Sequence, residues 1–150
     1  MTFVDGDVGL WPSLGFLADG KMVIAYEDAT NDDLVLYIGS DFTGGAREVI
    51  DRGESGAPLQ FVGADAALAV APSGQIFVAY QDATFNDLKL ARRTATNTWS
   101  TEQILRDGAW GFYADLAISG GKLYISSLKF GFDLNAQPQN ELRVVVRPLP

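Results

Sequence analysis

One nine-residue segment of this chain returns at a fixed distance, and that recurrence limits the possible folds more than any other feature. Tyr26-Glu27-Asp28-Ala29-Thr30-Asn31-Asp32-Asp33-Leu34 comes back as Tyr80-Gln81-Asp82-Ala83-Thr84-Phe85-Asn86-Asp87-Leu88, with every position moved along the chain by the same interval. A fainter third copy ends in Gln139-Asn140-Glu141-Leu142, and Leu142 lies as far beyond Leu88 as Leu88 lies beyond Leu34. A period of this size marks a supersecondary unit that cannot bury its own apolar face and stacks on copies of itself.

Each unit reads as strands. In the first, the apolar-rich run Ser13 to Ala18 is followed by Asp19-Gly20, a dipeptide suited to a tight hairpin because it tolerates positive φ. Lys21 to Tyr26 is apolar on both faces, as in a strand held between two layers. Asp28 to Asp33 is a polar loop, Leu34 to Ile38 a third strand, and Arg47 to Ile50 alternates like a more exposed fourth. The second unit repeats the plan over Ala67 to Ala71, Gln75 to Tyr80, Asp87 to Arg92 and Ser100 to Leu105. The third has Asp115 to Ser119, Lys122 to Ser127 and Glu141 to Val146, and no fourth strand after them. A fourth strand is expected at the other end, because Thr2-Phe3-Val4 occupies the place of Ile104-Leu105-Arg106. The units run approximately over 9–53, 63–108 and 111–150, with 2–5 the outer strand of a further unit.

The composition excludes several kinds of chemistry. Cysteine and histidine are both absent, which removes disulfides, thiolates, His-ligated metals and every nucleophile–histidine pair. A net charge of −8 opposes binding to nucleic acid and to anionic membrane surfaces. The start, Met1-Thr2-Phe3-Val4-Asp5-Gly6, lacks a basic region and an apolar core of the secretory type. Secretion or display at the cell surface after removal of a leader stays open.

Tandem four-stranded antiparallel units of this length resemble the blades of a β-propeller, an all-β fold. The pattern Pro12-Ser13-Leu14, then Asp19-Gly20-Lys21, then Val23-Ile24-Ala25-Tyr26 and Asp28-Ala29-Thr30 resembles bacterial propellers of the sialidase-like (BNR-type) and repeat-lectin group. Three blades fall short of the four to eight of typical rings. The expected remedy is a homodimer of two half propellers, six blades in all, with each N-terminal strand completing the last blade of its partner. Two other arrangements stay open: a piece of a longer propeller, or a tight ring in which the chain's own N-terminal strand completes its own third unit.

One mouth of such a ring is lined by two sets of loops. The first set, between second and third strands, holds Asp28, Asn31, Asp82 and Asn86; the second, leading into each new unit, holds Trp11, Phe61, Asp65, Trp110 and Tyr113. Acids and amides bond hydroxyls and rings stack on apolar sugar faces, so these nine are the candidate ligand-binding residues. Asp28 and Asp82 equally suit turns that bond their own backbone. No catalytic residue is singled out. The expectation is a non-enzymatic binding module, lectin-like toward carbohydrate; the alternatives are a protein-interaction scaffold and a sialidase-like glycoside hydrolase. No cofactor is expected; a calcium ion would draw its oxygens from Asp28, Asp32 and Asp33.

Overall fold

The computed structural model describes residues 6–41, 43–53 and 60–150. They form three antiparallel sheets, and no helix occurs among the described residues. The first sheet runs in order β1 (Val8–Phe16), β2 (Met22–Asp28), β3 (Asp33–Gly39) and β4 (Ala46–Asp51). The second repeats that order with β5 (Val62–Val70), β6 (Ile76–Asp82), β7 (Asp87–Ala95) and β8 (Thr98–Leu105). The third contains β9 (Ala109–Ser119), β10 (Lys122–Phe130) and β11 (Glu141–Pro148). Among the described residues β11 has no neighbour on its outer side. The fourth strand expected over Thr2-Phe3-Val4 lies outside the described residues.

The sheets stack face to face in chain order. Val23, Leu34 and Leu36 of the first sheet meet Leu68, Ile76 and Val78 of the second in one apolar cluster. The other face of the second sheet, through Phe77, Leu88 and Leu90, meets Leu116, Leu123 and Ile125 of the third. The leading strands β1, β5 and β9 adjoin one another in sequence. Each sheet therefore radiates from a shared line of inner strands, the arrangement of propeller blades. β6 is buried along its whole length because it has a blade on either side.

The same bonds tie successive units. Asp32 and Asn86 both have left-handed backbone, φ 58° and 57°. Their carbonyls accept hydrogen bonds from amides at the start of the next unit's inner strand, Val62 N–H at 3.3 Å and Trp110 N–H at 2.8 Å. Further out, Arg93 grips Glu48 of the preceding sheet with Nε to Oε2 at 2.9 Å and an Nη to Oε1 at 2.6 Å. Burial opposes ionisation of Glu48, but Arg93, the Asn97 amide and Trp99 outweigh it and hold its carboxyl below the usual range. Arg147 and Glu102 stand one repeat beyond Arg93 and Glu48. They line a cavity of about 390 Å³ between the second and third sheets.

The inner strands start well before the apolar runs that announce them. β1 begins at Val8, β5 at Val62 and β9 at Ala109, each carrying a bulge near its start. Residues expected in loops, Trp11, Asp65 and Tyr113, therefore lie inside strands.

Candidate functional site at the mouth

The starts of β1, β5 and β9 gather at one end of the blades with the β2–β3, β6–β7 and β10–β11 loops. Two structural devices build this end. The first is the Asp-Ala-Thr segment. Asp28 Oδ1 accepts from the amides of Thr30 (3.1 Å) and Asn31 (3.3 Å). Asp82 Oδ1 does the same for Thr84 and Phe85, both at 3.2 Å. The threonine hydroxyls then accept the amides that precede the inner strands, Asp7 N–H to Thr30 and Phe61 N–H to Thr84, each at 2.8 Å. A motif that repeats in sequence thus repeats as an Asx turn that fastens the inner strand to the loop beside it.

The two aspartates differ in charge environment. Burial works against ionisation of Asp28, but the Asn31 amide group, the Arg47 guanidinium and the loop amides hold its carboxyl below the usual range. Its oxygens are committed to Asn31, Arg47 and the turn. Asp82 is pushed up, first by burial, with Lys89 and the turn amides only partly compensating. Lys89 lies nearer Asp51, at 2.6 Å, than Asp82, at 3.9 Å. Tyr80 also donates its hydroxyl to Asp51, at 2.5 Å.

The second device is the bulge. Gly9, Gly63 and Gly111 have φ of 95°, 109° and 95°, and the residues two further on, Trp11, Asp65 and Tyr113, have φ of 45°, 50° and 48°. Left-handed backbone at a tryptophan, an aspartate and a tyrosine costs about 1–2 kcal/mol each. Bulges of this kind re-aim side chains, and strain of this kind gathers at functional sites. Three equivalent positions on three adjoining strands present ring, carboxyl, ring. Trp11 and Tyr113 are exposed and Asp65 is half-buried. Phe130 meets the Phe112 ring edge-on at 4.7 Å and the Tyr113 ring at 6.3 Å, which widens the aromatic side of the third unit.

The remaining candidates separate. Phe61 and Asn31 are exposed beside the turns. Asn86 faces solvent and spends its carbonyl on Trp110. Trp110 was expected at the mouth and is instead 1% exposed, wedged between the second and third sheets. Lys129 Nζ and Arg143 Cζ lie 5.4 Å and 4.6 Å from its ring. It has no face left for a ligand.

One residue went unnoticed in the sequence. Glu27 stands opposite Leu10 and Leu34 at the end of β2 and is 8% exposed. Its counterpart in the second unit is Gln81, whose amide donates to the Trp110 carbonyl at 2.9 Å. The Glu27 carboxyl has no hydrogen bond or ion pair among the described residues, and no fully buried polar side-chain atom there lacks a partner. Its carboxyl therefore keeps contact with solvent. Burial, then the negative charges of Asp32 and Asp7, push it above the usual glutamate range. The signal in the sequence was the break in the repeat, glutamate for glutamine. Among the described residues no three carboxylates are grouped as a cation site would require.

No family model matches the chain, and no curated protein matches it. Among solved structures the chain is similar to a novel alpha-L-arabinofuranosidase from Clostridium thermocellum, with a TM-score of 0.53 and 16% identity. The match covers 97% of this chain and 50% of that one, so the chain spans about half the length of the enzyme it resembles. That enzyme is a β-propeller, and a likeness at this identity establishes a shared propeller fold without specifying the sialidase type. The comparison overturns the expectation of a non-enzymatic binding module, because a solved protein that shares the architecture is a glycoside hydrolase.

Proposed function

We propose that this chain carries the reactive mouth of a propeller that hydrolyses glycosidic bonds, with Glu27 as the proton donor. The observation that carries this reading is the state of the Glu27 side chain: nearly buried, without a partner among the described residues, raised in pKa, yet open to solvent. A glycosidase needs a carboxylic acid that stays protonated to release the leaving-group oxygen, and a second, ionised carboxylate on the other side of the bond. Asp65 is the second carboxylate in this reading. It sits on the adjoining inner strand between two exposed rings, Trp11 and Tyr113, which suit the apolar faces of a sugar. Glu27 would protonate the glycosidic oxygen as the bond to the anomeric carbon breaks. Asp65 would either attack that carbon or activate the water that does.

Two further points support the reading. The fold is shared with an alpha-L-arabinofuranosidase, so arabinofuranosides head the substrates to try. The likeness of the repeats to sialidase-like propellers points to the same reaction class.

The test is hydrolysis of 4-nitrophenyl glycosides, arabinofuranoside first, by the wild-type chain and by Glu27→Gln. The wild type should release nitrophenol. Glu27→Gln should lose about 10²–10⁴-fold in kcat, the range spanned by general acid catalysis. With a 2,4-dinitrophenyl leaving group, which needs little protonation, the loss should shrink sharply. Equal rates for the two proteins, or no hydrolysis across the panel by the wild type, would overturn the assignment.

A further inference from the structure

The two end faces of the stack are the same two faces that meet inside it. Leu14, Leu68 and Leu116 occupy one position of the inner strand in the three units, each opposite a β-branched residue of the second strand. Leu68 and Leu116 are buried because a preceding sheet covers them; Leu14, with no preceding sheet among the described residues, is 57% exposed, and Phe16 is exposed beside it. The opposite face shows the mirror of this. Leu34 and Leu88 are fully buried under the following sheet, whereas Leu142, at the same repeat position, is 71% exposed. Leu36 and Leu90 are buried as well; their counterpart Val144 is 54% exposed.

We propose that a second copy of this chain covers both faces, the trailing face of each third sheet on the leading face of the partner's first sheet. The occupant is argued from continuity with the interfaces already formed. The two internal junctions are built from a Leu68-type residue inserted among Leu34- and Leu36-type residues, and the bare ends offer one half of that junction each. The backbone bond recurs too. Asn140 stands one repeat beyond Asn86, whose carbonyl holds Trp110 N–H, and Val8 stands one repeat before Val62, whose amide Asp32 holds. A contact between unlike faces closes after two copies when the arc of each is half a turn, which removes both exposed patches together. The mouth gains as well, because Trp11, Asp65 and Tyr113 then face the same three residues of the partner across the axis.

Light scattering after size exclusion tests this with face-specific variants. The wild type should run at the mass of two chains. Leu14→Asp and Val144→Asp alter exposed positions, so each should keep wild-type circular dichroism and run at the mass of one chain. An equimolar mixture of the two variants should return to two chains, since one of the two junctions is then free of either substitution. That rescue is specific to trailing-on-leading contact: faces pairing like with like would leave both junctions damaged. A wild type of one-chain mass at micromolar concentration, or folded variants that do not rescue each other, would overturn the proposal.

Discussion

Glu27 and Gln81 show how one atom can separate a structural position from a reactive one. Both stand one residue before the end of a second strand, at the same place in their repeats. Gln81 donates to a carbonyl of the next unit, while Glu27 as a carboxylate has no hydrogen to donate and is raised in pKa by burial, then by Asp32 and Asp7. A raised acid favours the fold in its neutral form. That contribution is complete below the unfolded pKa of glutamate and is lost as pH rises through the folded value. Glu27→Gln should therefore match wild-type stability in acid and exceed it at neutral pH by about 0.5 kcal/mol, a fraction of a full unit's worth because solvent screens the carboxyl. Urea unfolding at pH 4 and pH 7 measures the gap; a variant equally or less stable than wild type at pH 7 would show that Glu27 is not held in a strained state. The aspartates drew notice in the sequence because they repeat, and repetition is what turn-formers do. A residue that departs from the repeat at a loop-facing position was the better signal, but it is readable only when the burial of that position is known.

At the scale of elements, the hairpins and second and third strands were legible because their apolar runs and Asp-Gly, Ser-Gly and Gly-Gly turns are local. The first half of each inner strand was not. A bulge breaks period-two alternation, and its glycine and aromatic residues read as a loop. Trp110 and Tyr113 illustrate the consequence: they lie close together on one strand, yet one is buried and the other exposed. Two of the bulge glycines, Gly63 and Gly111, are also tightly packed. A Cβ on Gly111 would stand 2.7 Å from the Gln81 side chain and 2.9 Å from its Cα, on backbone with φ of 95°. Gly111→Ala should cost about 2–4 kcal/mol, strain and overpacking together. In a chain of this size that lowers the midpoint of a thermal melt by about 4–16 °C. An unchanged melt would mean that the second and third units are not locked together at that point.

For the whole molecule, the fixed spacing of the repeat made the stacked-sheet architecture readable, because only units that pack on their own copies need the same turns at the same interval. Activity was not readable in the same way. A propeller mouth is assembled from residues far apart in the chain, and the fold alone serves many chemistries. In the proposed two-chain ring each copy supplies half of the mouth, which couples assembly to activity. The most direct measurement is the hydrolysis rate per chain on a 4-nitrophenyl glycoside, followed as the protein is diluted and compared with its mass at each concentration. The account predicts that the rate per chain falls in step with the fraction of two-chain rings and returns on reconcentration. A rate per chain that stays constant while the mass drops from two chains to one would contradict it.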